Sequence, residues 1–277
     1  MPRKSSDLLK RRLKIAELVG QQGEIKVDDL SVLLGVSGVT IRGDLNYLEQ
    51  QGYLKRSFGG AIAASTVASV PAQNDTTVAS QSLSLAHKIE IARHGAQLIT
   101  DGDTIFLGHG ETCRRIIPLL CDKRQLRVIV NDLHHVLLAE QYIDGEIIIA
   151  GDEVIRTESL VAGKNFDEII QRNKIDHCVL EVSLHPENNR LMINQPLLIS
   201  HYQKCFDKAL NVTAILNPSY DSVGGLPPLG ELSDVNNVIA CGVINEHYQQ
   251  LLANADFTVH IHHNDCCTWS ARNKSRE

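Results

Sequence analysis

Hydrophobic residues recur at intervals of three and four along the first sixty residues, and this spacing predicts three amphipathic helices. The first helix ends before Gly23 and carries an apolar stripe of Leu9, Leu13, Ala16 and Val19. The second helix covers Val27–Leu34, and the turn Gly35-Val36-Ser37 follows it. Ser37 is a suitable N-cap for the third helix, which continues to Gln50.

The third predicted helix separates an apolar face from a polar one. Its buried face consists of Ile41, Leu45 and Leu48. Helical geometry then places on the opposite side Val39, Arg42, Gly43, Asn46 and Gln50. A short strand pair over Tyr53–Phe58, closed by Gly59-Gly60, follows this helix. Residues 1–60 therefore predict a helix-turn-helix with a wing.

Residues 61–81 differ in composition from the chain on either side. They consist mostly of Ala, Ser, Thr, Val and Gln, with one proline and a single charge at Asp75. This composition predicts a linker.

From Leu83 onward, short β-branched runs alternate with helical stretches. The expected strands are Thr104–Leu107, Leu126–Val130, Glu146–Ala150, Cys178–Val182, Val212–Leu216, Val238–Ala240 and Phe257–Ile261. The expected helices are Leu83–Ile99, one that begins near Thr112, Leu133–Gln141, Phe166–Arg172, Ile199–Ala209 and Asn245–Ala255. The alternation predicts an α/β fold, in which residues 82–263 form a Rossmann-like domain with a mainly parallel sheet. Ligands then bind at the carboxyl ends of the strands. The polar residues 264–277 are expected to form a frayed tail.

Composition adds expectations about the cellular compartment. The chain is 43% hydrophobic and 22% charged, which is typical of a globular protein without a membrane span. The first residues lack the apolar core of a signal peptide, so export is not expected. Seven cysteines without a Cys-x-x-Cys pair predict that no disulfide framework forms, which fits a reducing cytoplasm.

The formal net charge of −6 conceals an uneven distribution. Residues 1–60 contain ten Lys/Arg and seven Asp/Glu, a charge of +3, and the remaining residues carry −9. A mildly basic head on an acidic body indicates a nucleic-acid-binding module joined to another domain.

The polar face of the third helix has the chemistry of a DNA reader. Arg42 can bridge guanine O6 and N7, and Asn46, one turn later, can bridge adenine N6 and N7. Ser37 and Thr40 lie at the positive end of the helix, where a phosphate is favoured. Lys55 and Arg56 on the wing, with the basic residues of the first helix, can neutralise further phosphates. The alternative is a helical interaction module whose polar face is merely solvated.

The motifs of the head narrow this choice. They are Val27-Asp28-Asp29-Leu30, Gly35-Val36-Ser37-Gly38-Val39-Thr40-Ile41-Arg42-Gly43-Asp44-Leu45, Leu48-Glu49, Gly52-Tyr53-Leu54-Lys55-Arg56 and Gly59-Gly60-Ala61. This stretch resembles the DNA-binding head of the DeoR family of bacterial transcription regulators, whose recognition helix follows Val-Ser-x-x-Thr-Ile-Arg-Arg-Asp-Leu. Gly43 stands where that family usually has a second arginine. We expect the loss of one cationic contact, an altered operator preference and a helix cost of about 1 kcal/mol.

The resemblance implies that the body binds a phosphorylated sugar in a domain similar to sugar-phosphate isomerases and deaminases. Lys88 and the approach to the first strand of the body fit the family. The loop that should be Ser-Gly-Thr-Thr is His109-Gly110-Glu111-Thr112, after Gly108. Asn131 matches a Thr-Asn-Ser motif, but Asp132 replaces its serine. The remaining effector-binding positions implied by the resemblance are Gly151, Asp152, which alters a Gly-Gly pair, Gly163, and Ser219, whose motif has lost its lysine.

Three of these departures, Glu111, Asp132 and Asp152, place acids at the predicted ligand edge. A phosphomonoester carries nearly two negative charges and pairs best with cations or helix N-termini. We therefore predict poor binding of a typical sugar phosphate. The ligand is then a neutral or cationic polyol, a metal-bridged phosphate, or absent. Alternatively, the alignment is displaced and these acids are solvated surface residues.

Two other functions compete for the same residues. The first is a nucleotide site, because Gly108-His109-Gly110 follows a strand and Asp132 ends the next one, although Cys113 replaces the third glycine. The second is an enzyme that uses Glu111 or Asp132 as a base and His109 as a proton shuttle. With a DNA-binding head attached, we expect no catalytic activity.

Two groups of histidines are interpreted as structural. The first, which has zinc-ligand chemistry without paired spacing, comprises His260, His262, His263, Asp265, Cys266 and Cys267. His134-His135 opens a helix and is a candidate pH sensor, although one capping and one exposed histidine is the simpler interpretation.

The combined prediction is a cytoplasmic transcription regulator, a repressor of carbohydrate-metabolism genes. Its partners are operator DNA and a sugar-derived effector. We expect a homodimer or homotetramer, since paired half-sites need paired readers. Neither a metal, a cofactor nor a membrane is expected to take part.

Overall fold

The computed structural model describes residues 6–50, 52–63, 83–185, 190–217 and 228–272. The chain divides into two units. The head comprises Met1–Thr77 with Ser84–Ile89, and the body comprises Val78–Leu83 with Glu90–Glu277. Within the described part of the chain, each helix is too short or too polar to cross a lipid bilayer.

The head contains three helices and a three-stranded antiparallel sheet. Its elements are α1 (Ser6–Gln22), β1 (Glu24–Lys26), α2 (Val27–Leu34), α3 (Gly38–Gln50), β2 (Leu54–Ser57) and β3 (Gly60–Ala63). The order of strands is β1-β3-β2. The predicted second helix has the observed bounds, and Ile41, Leu45 and Leu48 of α3 lie in the core of the head, each at most 2% exposed.

The strand β1 escaped the sequence prediction because only three residues carry it. It pairs with β3, with Lys26 opposite Gly60. A Cβ atom on Gly60 would lie 2.3 Å from the carbonyl oxygen of Ile25, so glycine is needed for this close approach. Because β3 extends to Ala63, the predicted linker is wrong in its first three residues. Its remaining residues lie outside the described ranges.

A buried acid connects α1 to α3. Asp44, 2% exposed, accepts hydrogen bonds from Arg11 Nε at 2.7 Å and Arg12 Nε at 2.8 Å. The Arg12 guanidinium also lies 3.8 Å from the centroid of the Tyr47 ring. We expected the basic residues of the first helix to neutralise phosphates. Arg11 and Arg12 instead neutralise Asp44, so the charge they offer to DNA is reduced.

The described ranges from residue 83 onward contain six helices and twelve strands, and the first of these helices divides between the two units after Ile89. The helices are α4 (Leu85–Gln97), α5 (Glu111–Leu119), α6 (Leu133–Tyr142), α7 (Lys164–Arg172), α8 (Ile199–Lys208) and α9 (Val243–Asn254). The strands are β4 (Thr104–Leu107), β5 (Leu126–Val130), β6 (Gly145–Ile149), β7 (Glu153–Ile155), β8 (Leu160–Ala162), β9 (Ile175–Leu184), β10 (Arg190–Met192), β11 (Ala209–Leu216), β12 (Gly230–Glu231), β13 (Asn237–Cys241), β14 (Phe257–His263) and β15 (Cys266–Ala271).

The main sheet has the order β14-β15-β13-β11-β9-β4-β5-β6. From β13 to β6 all neighbouring pairs are parallel, which confirms the predicted α/β class with a mainly parallel sheet. The chain starts in the middle at β4, proceeds outward to β5 and β6, and then returns to β9 on the other side. The order therefore reverses between β4 and β9, and sheets with such a reversal bind ligands in a crevice at the carboxyl ends of the two strands. The hairpin β7-β8 and the short strands β10 and β12 were not predicted.

The predicted polar tail is wrong for most of its described residues. Strand β15 pairs with both β13 and β14, and its Thr268 and Trp269 are buried. Cys241 and Cys266 occupy paired positions of β13 and β15 and form a disulfide. The expectation against disulfides thus needs correction at this pair, because the spacing of cysteines along a chain carries no information on which strands become neighbours.

We predict that Asp44→Ala destabilises the head by about 2–3 kcal/mol, because it leaves two partly buried guanidinium groups without their carboxylate. Hydrogen exchange of the buried α1 and α3 amides in the full chain, followed at increasing urea concentration, measures this change. Asp29→Ala is the matched control, since Asp29 is an exposed acid in the first turn of α2. Equal losses in both variants would show that the Asp44 ion pairs contribute nothing beyond an ordinary surface charge.

Candidate functional site

The first turn of α3 is organised by the side chain of Ser37. Its Oγ accepts a hydrogen bond from the backbone N–H of Thr40 at 3.2 Å, and the two hydroxyls lie 2.9 Å apart. Ser37 is therefore the N-cap of the helix, as its sequence position predicts. Both hydroxyls stay at the positive helix end, beside backbone N–H groups that favour an anion.

Beyond this turn, α3 presents an exposed polar face. Arg42 and Asn46 are exposed and one helical turn apart, on the side opposite the buried Ile41 and Leu45. Val39, in the first turn, is 76% exposed, which leaves an apolar side chain available for contact with a thymine methyl. At Gly43 a Cβ atom would meet no other heavy atom within 4 Å, so the arginine expected by resemblance would have room.

A hydrogen bond from the wing to Glu49 of α3 connects these two elements. Glu49 Oε1 accepts the backbone N–H of Arg56 at 2.8 Å, which holds β2 against the end of the recognition helix. The side chains of Lys55 and Arg56 remain exposed on β2. Phe58, at the turn between β2 and β3, is fully exposed, a feature that the sequence interpretation passed over. The head thus holds all seven predicted DNA-binding residues: Ser37, Val39, Thr40, Arg42, Asn46, Lys55 and Arg56.

In the body, β4 is followed by the loop Gly108-His109-Gly110, after which α5 begins at Glu111. The backbone N–H of Gly108 donates to the Val179 carbonyl of β9 at 3.0 Å, so the loop starts at the sheet. Gly110 has a φ of +145°, and a Cβ atom there would lie 2.2 Å from Glu181 Oε1. Only glycine allows the loop to lie this close to Glu181.

Glu181 of β9 is the acid that the sequence interpretation missed. It is 4% exposed, and its Oε1 accepts the backbone N–H groups of Thr112 at 2.6 Å and Cys113 at 3.0 Å. Its Oε2 accepts Asn217 Nδ2 at 3.0 Å. The signal in the sequence was a single charge inside the predicted buried strand Cys178–Val182.

Asp132 connects two loops at the same edge of the sheet. Its Oδ1 caps α6 by accepting the backbone N–H of His134 at 2.7 Å, and its Oδ2 lies 2.7 Å from His109 Nδ1. Burial raises the pKa of this carboxyl, but the hydrogen bond from His109 and the attraction of His135 and His109, when they are protonated in the acidic range where the carboxyl titrates, outweigh it. The pKa of Asp132 is therefore held well below its usual range, and the group is a carboxylate at neutral pH.

His135 is fully buried in the first turn of α6. Burial lowers its pKa from 6.5 to about 4, which the nearby Asp132 only partly opposes, so the imidazole is neutral at pH 7. Its Nε2 lies 3.1 Å from the Gly110 carbonyl oxygen. Since a carbonyl only accepts, we assign the proton to Nε2, and Nδ1 is then an acceptor.

The buried Tyr202 contacts both the loop that follows β4 and the loop that follows β5. The Tyr202 hydroxyl accepts the backbone N–H of His109 at 2.8 Å and donates to Asn131 Oδ1 at 3.2 Å. The amide of Asn131 is thereby oriented, but its Nδ2 has no hydrogen-bond partner among the described residues. The same holds for Thr112 Oγ1 and for His135 Nδ1, and all three atoms are buried. These are groups that a ligand or a water can satisfy.

The remaining predicted effector residues belong to other segments than the contacts around His109 and Asp132. Asp152 Oδ1 accepts the backbone N–H of Asn165 at 3.3 Å at the start of α7, between Gly151 and Gly163. Glu111 pairs with the buried Arg115 at 2.7 Å. Lys88 lies on α4, in the segment that groups with the head, and Ser219 lies outside the described residues.

The geometry bears on the rival interpretations of the sequence. The oxygens of Asp132 bind the start of α6 and His109, so the carboxylate that should hold a ribose hydroxyl in a nucleotide site is already engaged. Asp132 is 4% exposed and is not a solvated surface acid, whereas Asp152 is exposed. His109 and Asp132, two of the residues considered for catalysis, are in direct contact.

Two family models match the chain. Residues 83–240 match the model described as the DeoR C terminal sensor domain, and residues 11–67 match the DeoR-like helix-turn-helix domain. Together these matches cover most of the head and most of the body.

Individual proteins are similar over much of the chain. A glycerol-3-phosphate regulon repressor of Haemophilus influenzae is 27% identical over 225 residues, 81% of this chain and 86% of that protein. A putative aga operon transcriptional repressor of Escherichia coli O157:H7 is 33% identical over 176 residues, 62% of this chain and 63% of that protein. A ribose 5-phosphate isomerase structure from Methanocaldococcus jannaschii is 13% identical, covers 69% of this chain and 81% of its own, and has a TM-score of 0.34, which supports no argument about function.

We predict that the buried neutral His135 makes stability depend on pH between 5 and 6.5. In this range the unfolded chain binds a proton that the folded chain excludes, so stability falls as pH falls, by about 1.4 kcal/mol per pH unit. Urea unfolding at pH 7 and pH 5 should show a loss about 2 kcal/mol larger for the unsubstituted chain than for His135→Gln.

The control for this prediction is His134→Gln, because the His134 side chain is 54% exposed. His94 and His177 also have pKa values lowered by burial, but both variants retain them, so their contribution cancels. The same pH dependence in His135→Gln and the unsubstituted chain would contradict a neutral buried His135.

Proposed function

The chain belongs to the DeoR family of transcription regulators, and we propose on this premise that it represses genes of carbohydrate metabolism. The head binds operator DNA, and a small-molecule effector at the crevice of the body controls that binding. The observation that carries the proposal is the exposed face of α3, where Arg42 and Asn46 project from a helix whose other side is buried. Footprinting on DNA upstream of its own gene, with and without sugars, tests it.

In this proposal α3 lies in the major groove of the operator. Arg42 and Asn46 read base edges, and Val39 contacts a thymine methyl. Ser37 and Thr40 hold a phosphate at the helix start, while Lys55 and Arg56 neutralise the backbone from the wing. Gly43 removes one cation from this face compared with the family pattern.

The effector is derived from a sugar and binds at the carboxyl ends of β4, β5 and β9. The contributing residues are Gly108, His109, Gly110, Glu111, Thr112, Asn131, Asp132, Gly151, Asp152 and Gly163. The acids among them disfavour a phosphomonoester, which is the altered phosphate site that the sequence predicts. Effector binding shifts the population between arrangements of the heads and so changes operator affinity.

Catalysis is a poorer account of the same residues. A general base works best when its pKa lies near the operating pH, whereas the pKa of Asp132 is held well below its usual range by His109 and His135. The contact between His109 and Asp132 is better explained as positioning, since it joins the loops that follow β4 and β5.

The protein acts as a homodimer or homotetramer in the cytoplasm. Operators with two half-sites need two recognition helices, so one head is insufficient for tight, selective binding. Bacterial chromosomal DNA lies in the cytoplasm, so a regulator that binds this DNA acts there.

We expect Arg42→Ala to abolish selectivity for the operator. The loss of a bidentate contact to guanine costs about 1–3 kcal/mol per half-site, and affinity should fall toward the value for scrambled DNA. The ratio of dissociation constants for the footprinted and the scrambled sequence, at one fixed salt concentration, measures the effect. Arg172→Ala, which removes an exposed arginine of α7, is the control. Retained selectivity would place base reading elsewhere on α3.

We expect Lys55→Ala to weaken binding to all sequences alike. A phosphate contact carries no sequence information, so the affinities for operator and scrambled DNA should fall together. The slope of log K against log salt should become shallower by about one. Lys174→Ala removes an exposed lysine of the body and should leave the slope unchanged. A loss confined to the operator would instead identify Lys55 as a base contact.

A further inference from the structure

The start of α5 is the place in this fold that most favours an anion. The strand order reverses between β4 and β9, and α5 begins at this point of the sheet, after a loop that contains Gly108 and Gly110. The backbone N–H groups of the first helical turn have no partners within the helix, and the helix dipole adds partial positive charge there. An external anion would bind to these groups in an open site of this kind.

In this chain the position is already filled by Glu181. Its carboxylate accepts the backbone N–H groups of Thr112 and Cys113 at 2.6 and 3.0 Å, and Asn217 Nδ2 donates to its second oxygen. Gly110 lies so close to the carboxylate that a Cβ atom there would be 2.2 Å from it. The side chain is 4% exposed. The chain thus supplies its own anion, and the loop is closed onto it.

We propose that Glu181 determines the specificity of the sensor by excluding phosphomonoesters, so that the effector is an uncharged polyol. The inference rests on the proposed function, namely that this crevice binds an effector. A phosphate brought to α5 would find its N–H donors taken and a buried negative charge beside them. Two like charges in a poorly solvated site repel each other strongly. The Glu181 side chain cannot move aside either, because the N–H groups at the start of α5 would then lose their acceptor.

The unsatisfied atoms around Glu181 indicate the chemistry of the effector. Within the part of the chain that the structure describes, Thr112, whose backbone binds Glu181, has a buried hydroxyl without a partner, and Asn131 Nδ2 and His135 Nδ1 are likewise unpaired. They belong to the loops and helices that follow the adjacent strands β4 and β5. The amide is a donor, the imidazole nitrogen an acceptor and the hydroxyl both. Sugar hydroxyls, which both donate and accept, complement this set without requiring a charge.

The closure of the site to phosphate is tested on the full chain with inorganic phosphate as the probe. Thermal unfolding in phosphate and in chloride at equal ionic strength gives a baseline difference in Tm for the unsubstituted chain, because phosphate stabilises folded proteins by exclusion and is proposed to bind at Ser37 and Thr40 of the head. Glu181→Ala frees the two N–H groups and should gain phosphate binding, with a further Tm rise of about 3 °C or more at ten times its Kd. Titration calorimetry with phosphate should show an additional binding event for this variant.

Glu181→Gln tests whether phosphate is excluded by the side chain that occupies the start of α5 or by its negative charge. The amide keeps the volume and the acceptor oxygen of the carboxylate, so this variant should remain closed to phosphate. Glu146→Ala, which removes an exposed acid of β6, should respond to phosphate only as the unsubstituted chain does. A phosphate response of the unsubstituted chain equal to that of Glu181→Ala, or binding by Glu181→Gln as tight as by Glu181→Ala, would overturn the proposal. The operator-release comparison uses the unsubstituted chain and decides the question even if Glu181→Ala does not fold.

The polyol assignment is tested by operator release. Pentitols and hexitols, each paired with its monophosphate, are added to the unsubstituted protein on its footprinted DNA. Release by a polyol at lower concentration than by its monophosphate is expected. The reverse order would overturn the exclusion of phosphate, and a panel without an active polyol would overturn the polyol assignment. Absence of a footprint before any addition would count against the proposed DNA binding, and the phosphate titration would still stand.

Discussion

Carboxylates that meet backbone N–H groups at the starts of helices determine how the ligand edge of this sheet is built. Glu181 binds the start of α5, Asp132 caps α6, and Asp152 binds the start of α7. Each pairing satisfies donors that a helix cannot satisfy itself and places negative charge against a positive helix end. The loops after β4 and β5 take their positions from these contacts. The helix-start N–H groups at this edge would attract anions in an open site, but here carboxylates of the same chain already bind them.

The distribution of charge acquires a different meaning from these contacts. The body carries −9, and the sequence suggested that its acids repel a phosphate from the ligand edge. Asp132 and Glu111 each have a partner within the body, His109 and Arg115 respectively, so neither presents an unpaired carboxylate to a ligand. The acid that stands at the anion position is Glu181, which the sequence interpretation did not single out. In the head, Asp44 pairs with Arg11 and Arg12, so two of its ten cations are engaged within the head.

The two units differ in how far their sequences allowed prediction. In the head, α2 has the predicted bounds and α3 begins one residue after its predicted cap, because periodicity, an N-cap and a glycine stop act within a few residues of each other. The three-residue β1 escaped, since its pairing with β3 spans more than thirty residues. In the body the parallel strands were located, but β15 was interpreted as a frayed tail. Its polar residues gain partners only when β13 and β14 lie on either side.

The sequence by itself determined the winged head, the polar and the buried face of α3, the α/β class and the loops that follow β4 and β5. All of these depend on local periodicity and on motifs of adjacent residues. Only the tertiary structure decided which side chains meet: Glu181 with α5, His109 with Asp132, Tyr202 with Asn131, and Cys241 with Cys266. Each pair joins residues that are 23 or more positions apart and become neighbours only through the strand order. That order is set by the packing of whole elements, and a pattern read along one segment does not contain it.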